Sequence, residues 1–592
     1  MHGPRNGRAT RLRTGLVTGP VVVALLASCT WGTADEAVSA TPAVTTSPTP
    51  APVTATPDDA PAPATVVEGD DALAAVATSA VLLEQAPVAV VATVGDVPGT
   101  LTAASAAVAL GAPVLLSGGS GDVAAELERL ATRHVLVVGD VDTATLPGGL
   151  ALVPVPAGAD GDALADVTGH RFGPPSTVPV GGEVAAVRAL SGPAPAVLVA
   201  EGAAAPATSP TVAAPSGEPA TGTGASPTPG TSAPRPAAVL PPTSPGTVQG
   251  VLALADGALP LAAAATLRAF AVDVLDVPGG DPRATSASVQ GLAQASPTAV
   301  VAFGSSFGTP DRLVTRVATA RTGVELPGGG QLVFPVVPGL PGKRYVALYG
   351  TPGSGALGVL GEQDVPSTLA RAEQHAAPYR GLTGDTVVPA VEMIATIASA
   401  GAEDDGSYSR KRSVDELRPL VEAAGAAGQY VLLDLQPGRQ DFVTQAQLYA
   451  DLLALPHVGL ALDPEWRLAP DQVHLRQIGS VGIDEVNATA AWLAQLTRER
   501  HLPQKMLVLH QFSSRMIAER ERLDTSHDEL APLIHVDGQG SQPAKAGTWA
   551  ALRAGAPTTH WGWKNFYDED VPMLDPVQTY QVQPVPDLVT YQ

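Results

Sequence analysis

The stretch QYVLLDLQPGRQDFVTQAQLYADLLALPHVGLALDPE, residues 429–465, decides the fold of this chain. An apolar run ends on Asp434 and Gln436, a helical segment follows from Asp441, and a second apolar run ends on Asp463 and Glu465. Short β-branched runs separated by helical ones are the pattern of parallel strands joined by crossover helices, with both faces of the sheet covered. The alternation continues on either side. Candidate strands are 344–349 (RYVALY), 387–398 (VVPAVEMIATIA), 429–436, 457–465, 504–512 (QKMLVLHQF), 532–539 (PLIHVDGQ), 558–566 (TTHWGWKNF) and 587–591 (DLVTY). Helical runs fill 366–379, 413–426, 441–455, 483–501, 514–523 and 543–554, with Ser413 and Asp441 placed as N-caps. The segment 567–586, which carries four prolines, is read as a loop or a poor last helix. Eight strands over about 250 residues predict a (β/α)8 TIM-like barrel spanning 341–592.

In such a barrel the chemistry belongs at the C-terminal strand ends. Polar residues gather there: Asp434 and Gln436 on strand three, Asp463 and Glu465 on strand four, His510 and Gln511 on strand five, His535 and Asp537 on strand six, and Trp561, Trp563, Lys564 and Asn565 on strand seven. Residues two apart on a strand share a face, roughly 6.6 Å apart. Asp463 and Glu465 are therefore expected side by side. Paired carboxyls resist double ionisation, which lets a glutamic acid keep its proton near neutral pH and act as a general acid. Four acids behind apolar runs are costly to bury unless they share one solvated site. Tryptophan and histidine in strands are more often core residues than sugar platforms or ligands, so Trp561, Trp563, His510 and His535 carry less weight.

The run LALDPEW, 460–466, is similar to the D-x-E ending of the same strand in chitinase-type and muramidase-type glycosidase barrels. That resemblance implies Glu465 as acid and Asp463 as its assistant, with Asp537 where the chitinase type also supplies an acid; the burial cost of strand-end acids adds Asp434 to the candidate catalytic set. Trp561 and Trp563 would supply the stacking floor that sugar rings need, and His510, Gln436 and Lys564, as polar strand-end residues, are candidate substrate contacts. The longer D-x-x-D-x-D-x-E run is missing, since Ala461 precedes Asp463, and Pro464 is unexpected in a central strand. Three readings remain open: a glycoside hydrolase-like barrel acting on a surface glycan, a non-catalytic wall-binding or scaffolding barrel, and a metal-dependent wall hydrolase. No H-E-x-x-H spacing supports the last, and no metal or other cofactor is expected.

N-terminal to the barrel, residues 68–200 and 248–340 alternate in the same βα manner and predict a doubly wound α/β domain over 68–340. Within it VAVVATV (88–94), an alanine-rich helix (101–110), APVLLSGG (112–119), DVAAELERLATR (122–133) and HVLVVGD (134–140) form one unit. VDVLDVPGGD (272–281), a helical stretch 285–294 and TAVVAFGSS (298–306) form a degenerate second. These units resemble the cell wall binding repeat type 2, which implies retention on a wall polysaccharide or peptidoglycan. Two low-complexity segments, a stalk at 29–67 and an insertion at 203–247, are rich in Pro, Thr, Ser, Ala and Gly and are expected to be extended and disordered.

At the start of the chain, Arg5, Arg8, Arg11 and Arg13 precede an apolar stretch from Gly15 to Ala27, too short to span a bilayer unaided. Leu26-Ala27-Ser28-Cys29 follows and holds the chain's one cysteine. This resembles a bacterial lipoprotein precursor, which implies a signal peptide over 1–28, acylation of Cys29, and a lipid anchor on the outer face of the cytoplasmic membrane, within the cell wall. The stretch 429–592 also resembles an uncharacterised actinobacterial lipoprotein family that joins wall-binding repeats to a barrel of unassigned activity. A formal charge of −23 with no basic patch argues against nucleic acid as a partner. With Cys29 taken by the anchor, no internal disulfide can form, so core burial must hold the domains together.

Overall fold

The computed structural model describes residues 51–202, 238–257 and 259–592. The expected signal peptide, Cys29, the first part of the stalk and residues 203–237 of the insertion lie outside the described residues.

Eight parallel strands form the C-terminal barrel: β1 (Lys343–Gly350), β2 (Thr386–Ala398), β3 (Tyr430–Leu435), β4 (Val458–Leu462), β5 (Lys505–Gln511), β6 (Leu530–Val536), β7 (His560–Asn565) and β8 (Leu588–Tyr591). Each pairs with its successor, and β1 pairs with both β2 and β8, so the barrel is closed. All eight coincide with the strands expected from the sequence. Ser413 and Asp441 cap their helices: Ser413 in a capping box with Glu416, Asp441 by accepting from the Thr444 N–H at 2.8 Å.

The helix expected over 514–523 is replaced by two 3-10 turns, Ser514–Met516 and Arg520–Arg522. Arg520 is buried there and donates to Gln511 at 2.8 Å, a contact a helix presenting its charges to water would not allow. In 567–586 only the single turn Pro576–Thr579 is helical.

Both faces of the barrel strands are buried. Outward-facing Val346, Val391, Leu433, Leu460, Leu507 and Val589 pack beneath the helices. The inward-facing rows begin apolar, with Tyr345, Val388, Tyr430, Met506, Val508 and Leu533. They end polar. Two residues on from Ala347, Ala390, Leu432, Val508 and Leu533 come Tyr349, Glu392, Asp434, His510 and His535, which the pleat aims at the same axis.

The N-terminal part is α/β with parallel sheets. One sheet runs Val114–Ser117, Val88–Thr93, His134–Val138, Ala151–Val155; another runs Val274–Asp276, Val251–Ala255, Ala299–Phe303, Ala64–Val67. Val88–Thr93 and Val251–Ala255 each lie between the two strands that follow them in the chain, so the two sheets share one three-stranded topology, the second with a strand ahead of the expected 272–306 unit. Alanine-rich helices Val97–Leu110 and Leu261–Ala269 are buried together in the core, their small side chains allowing close approach.

Two expected boundaries move. Residues 64–67 of the expected stalk form a strand against Val300–Phe303 with Ala64 and Val67 buried, and Thr56–Pro57 pairs with Leu83–Gln85. Leu240, within the expected insertion, is buried, and Thr243 bridges to Val53.

An ion cluster ties this part to the barrel. Asp528, just before β6, accepts from Arg316 at 2.7 Å and Arg283 at 2.8 Å, and Arg312 joins them. No described helix is long and apolar enough to cross a membrane.

Candidate active site

The inward parity of the strands stacks two polar layers at the C-terminal end of the barrel. The deeper layer holds Glu392, Asp434, His510 and His535, none of them exposed at all, with Tyr349 beside them. One step nearer the mouth stand Gln436, Asp463, Asp537 and Lys564, which line a cavity of about 280 Å3 together with Glu465 and Trp466.

His510 sits between two carboxylates. Its Nδ1 bonds Asp537 Oδ2 at 2.7 Å and its Nε2 bonds Glu392 Oε1 at 2.7 Å. The other oxygen of Asp537 bonds His535 Nδ1, and His535 Nε2 meets Thr590 Oγ1 at 3.1 Å. Gly562, opposite His535 on β7, leaves room for that ring: a Cβ there would lie 2.5 Å from His535 Cδ2. Tyr349 donates to Asp434 Oδ2 at 2.8 Å, and the Lys564 ammonium rests 3.6 Å from the centre of the Tyr349 ring. Lys564 Nζ is also 4.0 Å from Asp537 Oδ2.

This network separates the acids into two kinds. Burial favours protonation of Asp537, but the charges of His510, Lys564 and His535 outweigh it and hold Asp537 well below the ordinary carboxylate range. Burial likewise works against ionised Glu392, and the charge of His510 overcomes it. The reciprocal effect raises His510 well above an ordinary histidine against the cost of its burial, while burial lowers His535 despite the nearby Asp537. Asp434 goes the other way: burial, with the Glu392 charge and against the pull of His510, pushes it up to about 7. Burial and the charges of Glu465 and Asp434 raise Asp463 well above 3.8. Burial and Asp537 raise Glu465.

Pro464 resolves its own anomaly. β4 stops at Leu462, and Pro464–Trp466 is a 3-10 turn in which a missing N–H costs no ladder bond. Asp463 and Glu465 therefore do not share a strand face as expected; the turn brings both to the cavity. The turn is clamped from the loop that follows, since the Gly479 N–H donates to the Glu465 carbonyl at 2.6 Å and the Ser480 N–H to that of Arg467 at 3.0 Å. A Cβ on Gly479 would stand 2.4 Å from the Arg467 carbonyl oxygen and 2.5 Å from that of Glu465, so only glycine permits this approach.

Of the residues expected at the site, Asp463, Glu465, Asp537, Gln436 and Lys564 line the cavity. Asp434 and His510 lie in the layer beneath. Trp561 and Trp563 do not belong to the mouth. Their odd positions on β7 turn them outward, where they are 9% and 3% exposed and pack on Trp549 of helix Gln542–Arg553 at ring separations of 5.8 and 5.5 Å. The aromatic residues on the cavity are Tyr349, Trp466, Phe512 and Phe566.

Glu392 and Tyr349 were not singled out from the sequence. The available signal was Glu392 itself, one acid in the middle of a thirteen-residue strand that is otherwise free of charge.

Neither a family model nor a curated protein matches the chain. Among solved structures, Cwp6 from Clostridium difficile is similar with a TM-score of 0.28 and 12% identity over 63% of this chain and 63% of that one. This chain thus spans less than two thirds of that protein's length, and a likeness at this level assigns neither fold nor function.

Proposed function

We propose that the barrel hydrolyses a glycosidic bond in a cell-surface glycan, with Glu465 as general acid. The observation that carries this reading is the divided charge around one cavity: Glu465 raised and half-buried, Asp537 held ionised across from it. Glu465 gives its proton to the leaving glycosidic oxygen as that bond breaks. The positive charge developing on the sugar ring is stabilised by ionised Asp537, and water adds to the anomeric carbon, returning a proton to the site. Asp463, its pKa raised chiefly by burial, donates a hydrogen bond to a sugar oxygen or to Glu465 while protonated. Trp466 offers the indole surface on which a ring can lie. The cavity is near the lower end of the about 300–1,000 Å3 typical of ligand sites, which suits a single ring held at the point of cleavage.

The address belongs to the same proposal: export, acylation at Cys29, and the two αβ units holding the protein on wall polysaccharide or peptidoglycan. A second reading, a barrel that binds glycan without cutting it, is supported by Trp466, Phe512 and Phe566 at the cavity, apolar surfaces that serve ring binding with or without an acid. The two separate on aryl glycosides. A general-acid variant, Glu465→Gln, should lose hydrolysis of poor leaving groups and keep much of it on nitrophenyl leaving groups, which need no proton. A binding barrel hydrolyses neither.

A further inference from the structure

Beneath the cavity the barrel holds a cluster of which the hydrolysis reading uses only His510, as the neighbour of Asp537. One potential ligand atom each from Glu392, Asp434 and His510 lies within 4.8 Å of the others, and all three side chains are fully buried. Two oxygens of this triangle, Glu392 Oε2 and Asp434 Oδ1, have no hydrogen-bond partner among the described residues. A buried polar atom without a partner costs about 1–3 kcal/mol, more when it is charged. The adjoining group of His510, His535 and Asp537 is as compact, yet both oxygens of Asp537 and both nitrogens of His535 are bonded.

The geometry points to a divalent cation held by Glu392, Asp434 and Nε2 of His510. The cation takes the place of the proton that now bridges His510 Nε2 and Glu392 Oε1, and that proton is released on binding. Three features fit. His510 bonds Asp537 through its other nitrogen at 2.7 Å, the carboxylate–imidazole–metal relay that fixes tautomer and ring orientation in metal sites. Tyr349 donates to Asp434 Oδ2 at 2.8 Å and leaves Oδ1 buried without a hydrogen-bond partner. The charges also balance: a dication neutralises the two carboxylates, and Asp537 keeps Lys564 at 4.0 Å as its counter-charge. One imidazole and two carboxylates, with no thiolate, suit zinc or manganese.

This inference stands apart from the hydrolysis reading, and so does its test. The full chain, purified in detergent and stripped with chelator, is dialysed against zinc or manganese chloride. Bound metal is measured by mass spectrometry, and the cobalt-loaded protein by visible absorption. The expected result is one metal ion per chain and a raised melting temperature, with affinity weakened by roughly tenfold or more in Asp434→Asn and Glu392→Gln. Tyr349→Phe keeps the ring and removes only the hydroxyl on Asp434, so it supplies the comparison if either carboxylate variant fails to fold; it should weaken binding with the barrel intact. No retained metal in the wild type, or equal retention in every folded variant, overturns the inference. Metal binding without hydrolysis leaves it standing and refutes the function proposed above, and hydrolysis without metal does the reverse.

Discussion

Trp563 and Trp466 look interchangeable in the sequence, as tryptophans at strand ends, but the structure gives them opposite jobs. Trp563 is 3% exposed, packs on Trp549 with ring centres 5.5 Å apart, and donates its indole N–H to the fully buried Asn565 at 2.9 Å. Its replacement by alanine removes one of the largest side chains of the outer core. The usual cost of such a truncation is about 3–5 kcal/mol, and the stranded Asn565 oxygen keeps it off the lower end. Taking about 4 kcal/mol, and about 2–4 °C of melting temperature per kcal/mol for a domain this size, Trp563→Ala should lower the barrel's melting point by roughly 8–16 °C. Trp466 is half-buried at the cavity, so Trp466→Ala should move the melting point by only about 1–3 °C and instead weaken glycan binding severalfold. Circular dichroism melts and isothermal binding of wall oligosaccharides read both effects. A Trp563→Ala protein that melts like the wild type but no longer binds glycan would refute this assignment and restore Trp563 as a sugar platform.

Further outcomes follow from the same geometry. Arg316, Arg283 and Arg312 overcome the burial of Asp528 and hold it far below the ordinary carboxylate range, so its stabilisation is present above the unfolded value near 3.9 and is lost as pH falls below it. Asp528→Asn should cost about 2 kcal/mol at pH 7, because three arginines lose a shared carboxylate and buried Arg283 keeps only Asp281, at 2.8 Å, and the wild type should lose more melting temperature than the variant between pH 7 and pH 3. Glu465 acts while protonated, so activity should persist below its raised pKa and fall as pH climbs through it. The Lys564 charge pulls that pKa down, and Lys564→Met should therefore shift the alkaline limb to higher pH, whereas an unmoved limb would assign it to another group. Gly479→Ala pushes a methyl against the carbonyls of Arg467 and Glu465, and displacing the acid by a fraction of an ångström should cut kcat by about tenfold or more while the melting point changes little.

The barrel was legible because parallel strands buried on both faces read as continuous apolar runs, and each ended where a polar residue or turn began. The same double burial hid the parity. In HWGWKN either alternate set could face the axis, and only the closed barrel shows that Lys564 points inward and the tryptophans outward. Asp463, Glu465 and Asp537 were accessible to sequence reasoning because acids directly after apolar strands are rare. Glu392 was not, because it lies within β2 and not at its end, and its cost of burial is met by His510 from a strand 118 residues away. The run 514–523 has the composition of a surface helix, but Arg520 is drawn into the interior by Gln511, a tertiary contact that no local propensity encodes. At the stalk, composition averaged over 29–67 masked four β-branched or small residues that suffice for an edge strand.

The central claim is most directly tested by release of reducing ends from purified peptidoglycan and wall polysaccharides by the full chain and by Glu465→Gln at matched concentration. The account predicts turnover by the wild type, loss of at least about a hundredfold in the variant as expected for removal of a general acid, and equal sedimentation of both proteins with the wall. Equal release by the two proteins would contradict Glu465 as the acid, and sedimentation without release by either would contradict hydrolysis itself.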